Sequence, residues 1–271
     1  MNAFRQLLKA AGGHPPVGTW IASASPLVAE AVGQAGFEWG VLDMEHSPLD
    51  AMGLVHLLQA LGTTKLVPVV RVPANDAVAI KRALDAGATT LMVPMVNTAH
   101  EARHAVAATR YAPEGFRGLD TSCRAARFGL SSTHLRTANQ NVGLIAELET
   151  PQALDALEAI AGVDGVDALF VGPADLSAAM GYIGQFTHRA VLDAMAGAVQ
   201  QAKRLGKPIG TVGATPEVVA QYRAVGFDYV AIGSDIGLLM RAAHAAIAAL
   251  RTQDSVHVHS LASGTQSFAG A

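Results

Sequence analysis

Short runs of apolar and β-branched residues alternate along the chain with longer stretches in which apolar positions recur at helical spacing. The runs at 18–22, 39–43, 66–71, 90–94, 142–149, 168–171, 208–212 and 229–232 have the length and residue types of buried strands. The segments 26–35, 49–61, 75–85, 98–109, 151–160, 188–205, 215–224 and 235–250 read as the helices that follow them. Thr98 with Glu101 makes a capping-box pattern, and Asn75-Asp76 is a further cap. Thr150-Pro151 and Thr215-Pro216 each set a cap residue before a proline at the first helical position. Gly36, Gly87, Gly206 and Gly226 stand where a helix must stop before the next strand. An amphipathic helix over 3–11, stopped by Gly12 and Gly13, precedes the first strand.

Eight strand–helix units without an internal break predict an α/β fold, a (β/α)8 TIM barrel in one domain over residues 1–253. An open doubly wound sheet is the competing architecture. It is disfavoured because no Gly-rich dinucleotide fingerprint follows the first strand, and no nucleotide cofactor is expected. Two segments fall outside the alternation. Residues 110–140 form a long connection containing Arg110, Tyr111, Arg117, Arg124 and Arg127, and a loop of that length is usually functional or disordered. Residues 254–271 are small and polar and are expected to form a disordered tail, with His257 and His259 as weak metal candidates.

Composition narrows the classes of function. The chain of 271 residues is 51% hydrophobic and 15% charged, with net charge −3. No basic stripe exists to neutralise phosphates, so nucleic acid is excluded as a partner. The low charge also excludes a largely disordered chain. The one cysteine, Cys123, cannot pair within the chain, which suits a reducing compartment. No apolar stretch long enough to span a membrane is free of a charge or a Gly/Pro break, and the N-terminus lacks signal-peptide features. The expectation is a cytoplasmic protein with no membrane partner.

In such a barrel, chemistry sits at the carboxyl ends of the strands. The polar or aromatic residues there are Trp20, Asp43, Glu45, His46, Arg71, Glu147, Glu149 and, just past the sixth strand, Asp175. Glu147 and Glu149 share one strand face with Ile145, so both point into the barrel mouth. Two buried like charges need neutralising. A divalent cation such as Mg²⁺ or Mn²⁺ would do so, with Asp175 as a further oxygen ligand. Salt bridges to arginines on neighbouring strands are the alternative. Asp43 beside His46 reads as an orienting acid for a general base. Arg71 ends an apolar run, so it must meet carboxylates or an anionic ligand; an ion pair with Glu45 and stabilisation of a developing enolate are both compatible with it. The run Val171-Gly172-Pro173-Ala174-Asp175-Leu176-Ser177 reads as a strand end turning into a helix N-terminus, where free amides attract a carboxylate. Gly172 would let a ligand approach the backbone. Lys65 precedes the third strand, and Lys81, Lys203 and Lys207 fall on helices or their ends, so no strand-end lysine is placed for a Schiff base. Gly233-Ser234-Asp235 matches a barrel phosphate site only by analogy, since no lysine or arginine is adjacent in sequence.

Taken jointly, seven stretches resemble the HpcH/HpaI aldolase family of metal-dependent class II pyruvate aldolases. They are Gly18-Thr-Trp20, the run from Gly36 through Asp43 to His46, Pro68-Val-Val-Arg71, Leu91-Met-Val-Pro-Met95, Ala108 to Pro113 with Gly115 to Gly118, Glu147-Leu-Glu-Thr150, and Val171 to Ser177. The resemblance covers residues 3–250. It implies that Glu149 and Asp175 ligate a divalent metal (Mg²⁺, Mn²⁺ or Co²⁺). It implies that His46 is a base acting through water with Asp43 as its partner, and that Arg71 binds the pyruvate oxygen. The amides of Ala174 and Asp175, with Gly172 and Pro173, would hold the pyruvate carboxylate. Trp20 and Val212 would shape the pocket. Family members often carry Gln at position 147, and Glu147 departs from that as a possible metal or water contact.

The resemblance further implies a homo-hexamer, a trimer of dimers, with the last barrel helix exchanged between subunits. The implied reaction is reversible cleavage of a 4-hydroxy-2-oxo acid to pyruvate, or a close 2-oxo acid, and an aldehyde. The competing readings are a malyl-CoA or citryl-CoA lyase and a non-catalytic protein that binds metal and a keto acid.

Overall fold

The computed structural model describes residues 2–263. Its centre is a closed barrel of eight strands in sequence order, β1 Val17–Ile21, β2 Trp39–Asp43, β3 Val67–Arg71, β4 Thr90–Val93, β5 Gly143–Leu148, β6 Ala168–Val171, β7 Ile209–Gly213 and β8 Tyr229–Ser234. Every neighbouring pair is parallel, and β8 closes on β1. The expected (β/α)8 barrel is therefore the fold.

The helices are α1 Ala3–Ala10, α2 Pro26–Gln34, α3 Ala51–Leu61, α4 Ala77–Asp85, α5 Ala99–Thr109, α6 His134–Asn141, α7 Pro151–Asp155, α8 Leu157–Ala161, α9 Pro173–Ala179, α10 Arg189–Arg204, α11 Pro216–Val225 and α12 Asp235–Ser263. The caps legible in the sequence form. Thr98 and Glu101 make a complete capping box, while Asp76, Thr150 and Thr215 each accept a hydrogen bond from the first turn of their helix. Gly226 ends α11 at φ 106°, a left-handed geometry that residues with a Cβ rarely adopt.

Three boundaries differ from expectation. The helix expected over 151–160 is two, because Ala156 leaves helical geometry at ψ 3°; the Ile160 N–H still donates to the Ala156 carbonyl, so this is a kink in one path. The connection 110–140 carries structure of its own, a 3-10 turn at Arg124–Ala126 and α6. Finally, α12 passes residue 250 and runs to Ser263, so residues 254–263 of the expected tail are helical. Residues 264–271, and the side chains of His257 and His259, lie outside what is described. Among the described residues no helix is long and apolar enough to cross a membrane.

Two apolar layers follow from the period of the strands. Outward side chains such as Leu42, Val70, Leu144 and Leu169 pack beneath the helices. Inward ones, among them Trp39, Val41, Val69, Ile145 and Phe170, fill the barrel. Phe4 of α1 plugs its lower end, with ring centroids 5.9 Å from Trp39 and 5.4 Å from Tyr229. The inward rows do not stop at the core. Trp39 and Val41 lead to Asp43, Val69 leads to Arg71, and Ile145 leads to Glu147. The same alternation that builds the core thus delivers the charged residues to its upper end.

Candidate active site

A cavity of about 460 Å³ opens at the carboxyl ends of the strands. Every residue expected to serve the site lines it: Trp20, Asp43, His46, Arg71, Glu147, Glu149, Gly172, Pro173, Ala174, Asp175 and Val212. No residue of the 110–140 connection lines it. Of the arginines there, Arg117 is buried on Asp85 at 2.7 Å, and Arg124 donates to the Ala86 carbonyl at 2.8 Å.

Arg71 is the hub. Register sets it opposite Asp43, and the two make a forked pair, Nε to Oδ1 at 3.0 Å and Nη2 to Oδ2 at 2.8 Å. Its Nη1 lies 3.1 Å from Glu45 and 3.6 Å from Glu147, and its Cζ sits 5.5 Å from the centre of the Trp20 ring. Burial works against the guanidinium charge. The hydrogen bonds to Asp43 and the charges of Glu147, Asp43 and Glu45 more than offset that and hold it protonated. Burial likewise pushes the Asp43 carboxyl up, but the Arg71 fork and the backbone N–H groups of Glu45 and His46 outweigh it, leaving Asp43 below the usual range.

This corrects one expectation. Asp43 does not orient the His46 ring; it meets His46 only through the backbone N–H, at 3.3 Å. Its carboxylate is turned inward to Arg71 by strand register. The imidazole comes three residues later, after the strand has ended, and is 67% exposed at the mouth. Its nearest acid is Glu45, with Oε1 4.0 Å from Nε2.

The acidic wall is under strain of charge. Glu147 is 1% exposed, and its Oε2 has no hydrogen-bond partner. Burial, then the charge of Glu149, push its carboxyl well above the ordinary value, against the pull of Arg71. Glu149 accepts the Met95 N–H at 2.8 Å, yet burial and the charge of Asp175 raise it to about 7. Burial raises Glu45 too. Five carboxylates (Asp43, Glu45, Glu147, Glu149 and Asp175) therefore surround one committed guanidinium. The salt-bridge reading holds for three of the acids, since Arg71 bridges Asp43, Glu45 and Glu147, whereas the charge of Asp175 opposes ionisation of Glu149.

That surplus fits a hard divalent cation, which takes oxygen donors. Among the described residues no group of three His, Cys, Asp or Glu is arranged to hold a metal. A site of two carboxylates completed by water and substrate is the mode Mg²⁺ favours. Gly172 is needed here for a reason the sequence did not reveal. A Cβ on it would come 2.8 Å from Glu149 Oε1, so the glycine makes room for the carboxylate. Gly172 begins α9 without a side-chain cap, and Ala174 and Asp175 of its first turn, where backbone N–H groups lack helical partners, line the cavity.

Several lining residues were not foreseen. Phe186 comes from the segment after α9, Ala22 from the end of β1, and Gly213, Ala214 and Gly237 from the end of β7 and the start of α12, beside Gly233 and Ser234 of the stretch weighed as a phosphate site. Arg241 joins them, so an arginine does stand beside Gly233-Ser234-Asp235. It is one helical turn past Gly237, a spacing that could have flagged it.

The fold and this pocket define a class: a (β/α)8 barrel whose cavity at the strand ends is lined by a buried arginine, the start of a helix and an acidic wall. The chain belongs to the HpcH/HpaI aldolase/citrate lyase family, whose sequence profile matches residues 17–242. It is 46% identical over 236 residues to the 2-dehydro-3,6-dideoxy-6-sulfogluconate aldolase of Pseudomonas putida, covering 87% of this chain and 92% of that one. It is 42% identical over 252 residues to a pyruvate aldolase of Rhizobium etli, covering 93% and 98%. A crystal structure of a family protein from Burkholderia cenocepacia J2315 superposes with TM-score 0.89 at 39% identity, over 93% of this chain and all (100%) of that one. The citrate lyase beta subunit of Mycobacterium tuberculosis, described as complexed with oxaloacetate and magnesium, shares the fold at TM-score 0.55 and 19% identity. The relatives are aldolases, and this chain is with them a carbon–carbon lyase.

Proposed function

We propose that the protein is a divalent-metal-dependent pyruvate aldolase, reversibly cleaving 4-hydroxy-2-oxo acids to pyruvate, or a close 2-oxo acid, and an aldehyde. The observation that carries this reading is the pairing, in one cavity, of the Arg71 hub with the uncompensated carboxylates Glu149 and Asp175. Glu149 and Asp175 would hold the cation, with Glu147 near it; Mg²⁺, Mn²⁺ and Co²⁺ are the candidates. When bound, the cation supplies Lewis acidity to the 2-oxo group.

The residues divide the remaining work. The Ala174 and Asp175 amides bind the substrate carboxylate at the start of α9. Arg71, fixed by Asp43 and Glu45, keeps a guanidinium beside the oxygen on which enolate charge develops. His46, at the open mouth, takes the C4 hydroxyl proton through water as the C3–C4 bond breaks, and C3 then takes a proton to give pyruvate. Trp20 and Val212 exclude water around the chain of the substrate. A CoA-ester lyase finds less support, since the relatives at 42–46% identity are named as aldolases. The names of the relatives support a place in the breakdown of sugar-derived acids.

The chain is further proposed to act as a homo-oligomer, a hexamer built as a trimer of dimers with α12 exchanged. The support is the apolar surface α12 leaves open, with Leu239 and Leu250 each 63% exposed. A cytoplasmic location accords with the single buried cysteine, Cys123.

The deciding experiment is proton NMR of pyruvate in D₂O, after chelation and again with each metal restored. Metal-dependent loss of the methyl signal, absent in His46→Ala and Arg71→Ala, is expected. A folded protein that exchanges nothing with any metal would remove the aldolase reading.

A further inference from the structure

The cavity has two guanidiniums, and they are in opposite circumstances. Arg71 is enclosed by three carboxylates. The guanidinium of Arg241, on α12, has no hydrogen bond or ion pair among the described residues. The acid nearest to it on its own helix, Asp235, is already used: its carboxylate accepts the N–H groups of Ala22 at 3.0 Å, Ser23 at 3.1 Å and Ile236 at 2.8 Å. Those bonds pin the start of α12 to the end of β1 and fix the direction in which the helix leaves the barrel.

Helical side chains lean toward the N-terminus of their helix, so Arg241 reaches back over the preceding turn toward the cavity mouth. Two glycines leave the way open. A Cβ on Gly233 would come 2.8 Å from Arg241 Nη2, and one on Gly237 would lie 3.5 Å from Nη1. The guanidinium therefore rests on bare backbone at the rim. Between it and the acidic wall the lining is small and uncharged: Val212, Gly213, Ala214, Gly233 and Ser234. The keto-acid end of a substrate belongs with Arg71, Glu149 and Asp175. The opposite quadrant, from β7 to β1, is left for the aldehyde portion.

We propose that Arg241 reads an oxyanion at the far end of the aldehyde, making aldehydes with a carboxylate, sulfonate or phosphate tail the preferred partners. The placement in the cavity rests on the aldolase reading given above. An unpaired guanidinium offers two parallel N–H donors, a geometry that matches all three oxyanions. With an excess of carboxylates opposite it, the cation also steers an anionic tail away from the acidic wall.

The test uses the full chain with Mg²⁺ added, as wild type, Arg241→Ala and Arg241→Lys. Two pairs of aldehydes are condensed with pyruvate: succinic semialdehyde against butanal, and glyceraldehyde 3-phosphate against glyceraldehyde. The preference for the charged member, as a ratio of kcat/KM values, should fall roughly tenfold or more in Arg241→Ala, the scale of a hydrogen bond to a charged group. Arg241→Lys should retain part of it, and the two pairs report carboxylate and phosphate separately. Calorimetric binding of 2-oxoadipate against 2-oxohexanoate reads the same preference without turnover. Exchange of the pyruvate methyl protons is followed in parallel. Exchange with no tail preference, or the same preference in Arg241→Ala, overturns the inference and leaves the aldolase reading standing. Tail preference in binding with no exchange removes the aldolase reading and leaves the role of Arg241. Loss of exchange in a folded Arg241→Ala protein would also overturn the inference, since the residue would then serve the pyruvate end.

Discussion

Asp43 and Arg71, neighbours across the β2–β3 register, hold each other through a forked pair at 2.8 and 3.0 Å in the upper layer of the barrel. The pair turns a cation that would be costly to bury into a fixed element of the site. It also explains why the acid that opens the Asp43-Met44-Glu45-His46 stretch is unavailable to the imidazole.

Asp43→Asn should therefore damage catalysis and stability together. The amide cannot accept the fork through both atoms, and Arg71 loses its best-aligned partner. Breaking a buried pair costs on the order of 3 kcal/mol, here at the lower end because Glu45 and Glu147 remain. Denaturant melts should show that loss, and aldol turnover should fall at least as far as in Arg71→Lys. A variant with wild-type turnover would show that Arg71 needs no fixing.

Gly172→Ala isolates a steric effect. The backbone at Gly172, φ −85° and ψ 98°, suits any residue, so alanine brings no conformational strain. Its Cβ would nonetheless stand 2.8 Å from Glu149 Oε1. The expected result is a normal melting temperature with divalent-ion affinity down roughly tenfold, as when a ligating carboxylate is mispositioned. Mn²⁺ titration read by electron paramagnetic resonance measures it. Unchanged affinity would mean that Glu149 is not a ligand.

Glu147→Gln should raise stability in the metal-free protein. The carboxylate is buried with Oε2 unpartnered, and burial and Glu149 oppose its ionisation. An isosteric amide removes a charge whose burial is opposed, and a gain of about 1 kcal/mol, the scale of one poorly satisfied buried polar group, is expected. Melting in chelator is the measurement. A lower melting temperature would show that the ion pair with Arg71 at 3.6 Å outweighs the repulsion.

Tyr222 sets part of the alkaline limit. Burial raises its phenol to about 12, and the hydroxyl donates to the Phe186 carbonyl at 3.2 Å. Below about pH 10 the phenol is protonated in both folded and unfolded chains, so its contribution is constant. Above that, the unfolded chain ionises first, and stability falls as pH rises toward 12. Tyr222→Phe should flatten this decline in urea melts between pH 9 and 11. Tyr229, pushed up by burial and by Asp228 and Glu147, leaves a residual slope of the same sign. An identical slope in the variant would refute the assignment.

The open apolar face of α12 predicts assembly. Sedimentation should give a particle larger than one chain, and Leu239→Glu with Leu250→Glu should shift it toward the monomer. A wild-type monomer at micromolar concentration would exclude the proposed oligomer.

Much of this molecule was written in local pattern. Period and capping residues marked the eight strands and most helices, because burial and cap hydrogen bonds act over a few neighbouring residues. The two-residue period also placed Glu147 and Glu149 on one inward face, and the strand-end positions of Asp43, Arg71 and Asp175 marked the mouth. What required the tertiary structure was the choice of partners. Strand register, which depends on how the whole barrel closes, gave Asp43 to Arg71 and left His46 beside Glu45. The approach of Glu149 to the backbone between β6 and α9 decided why residue 172 is glycine. The angle at which α12 leaves the barrel brought Arg241 over Gly233. Each of these is a contact between elements distant in sequence or oriented by the closed sheet, so no local window of the chain contains it.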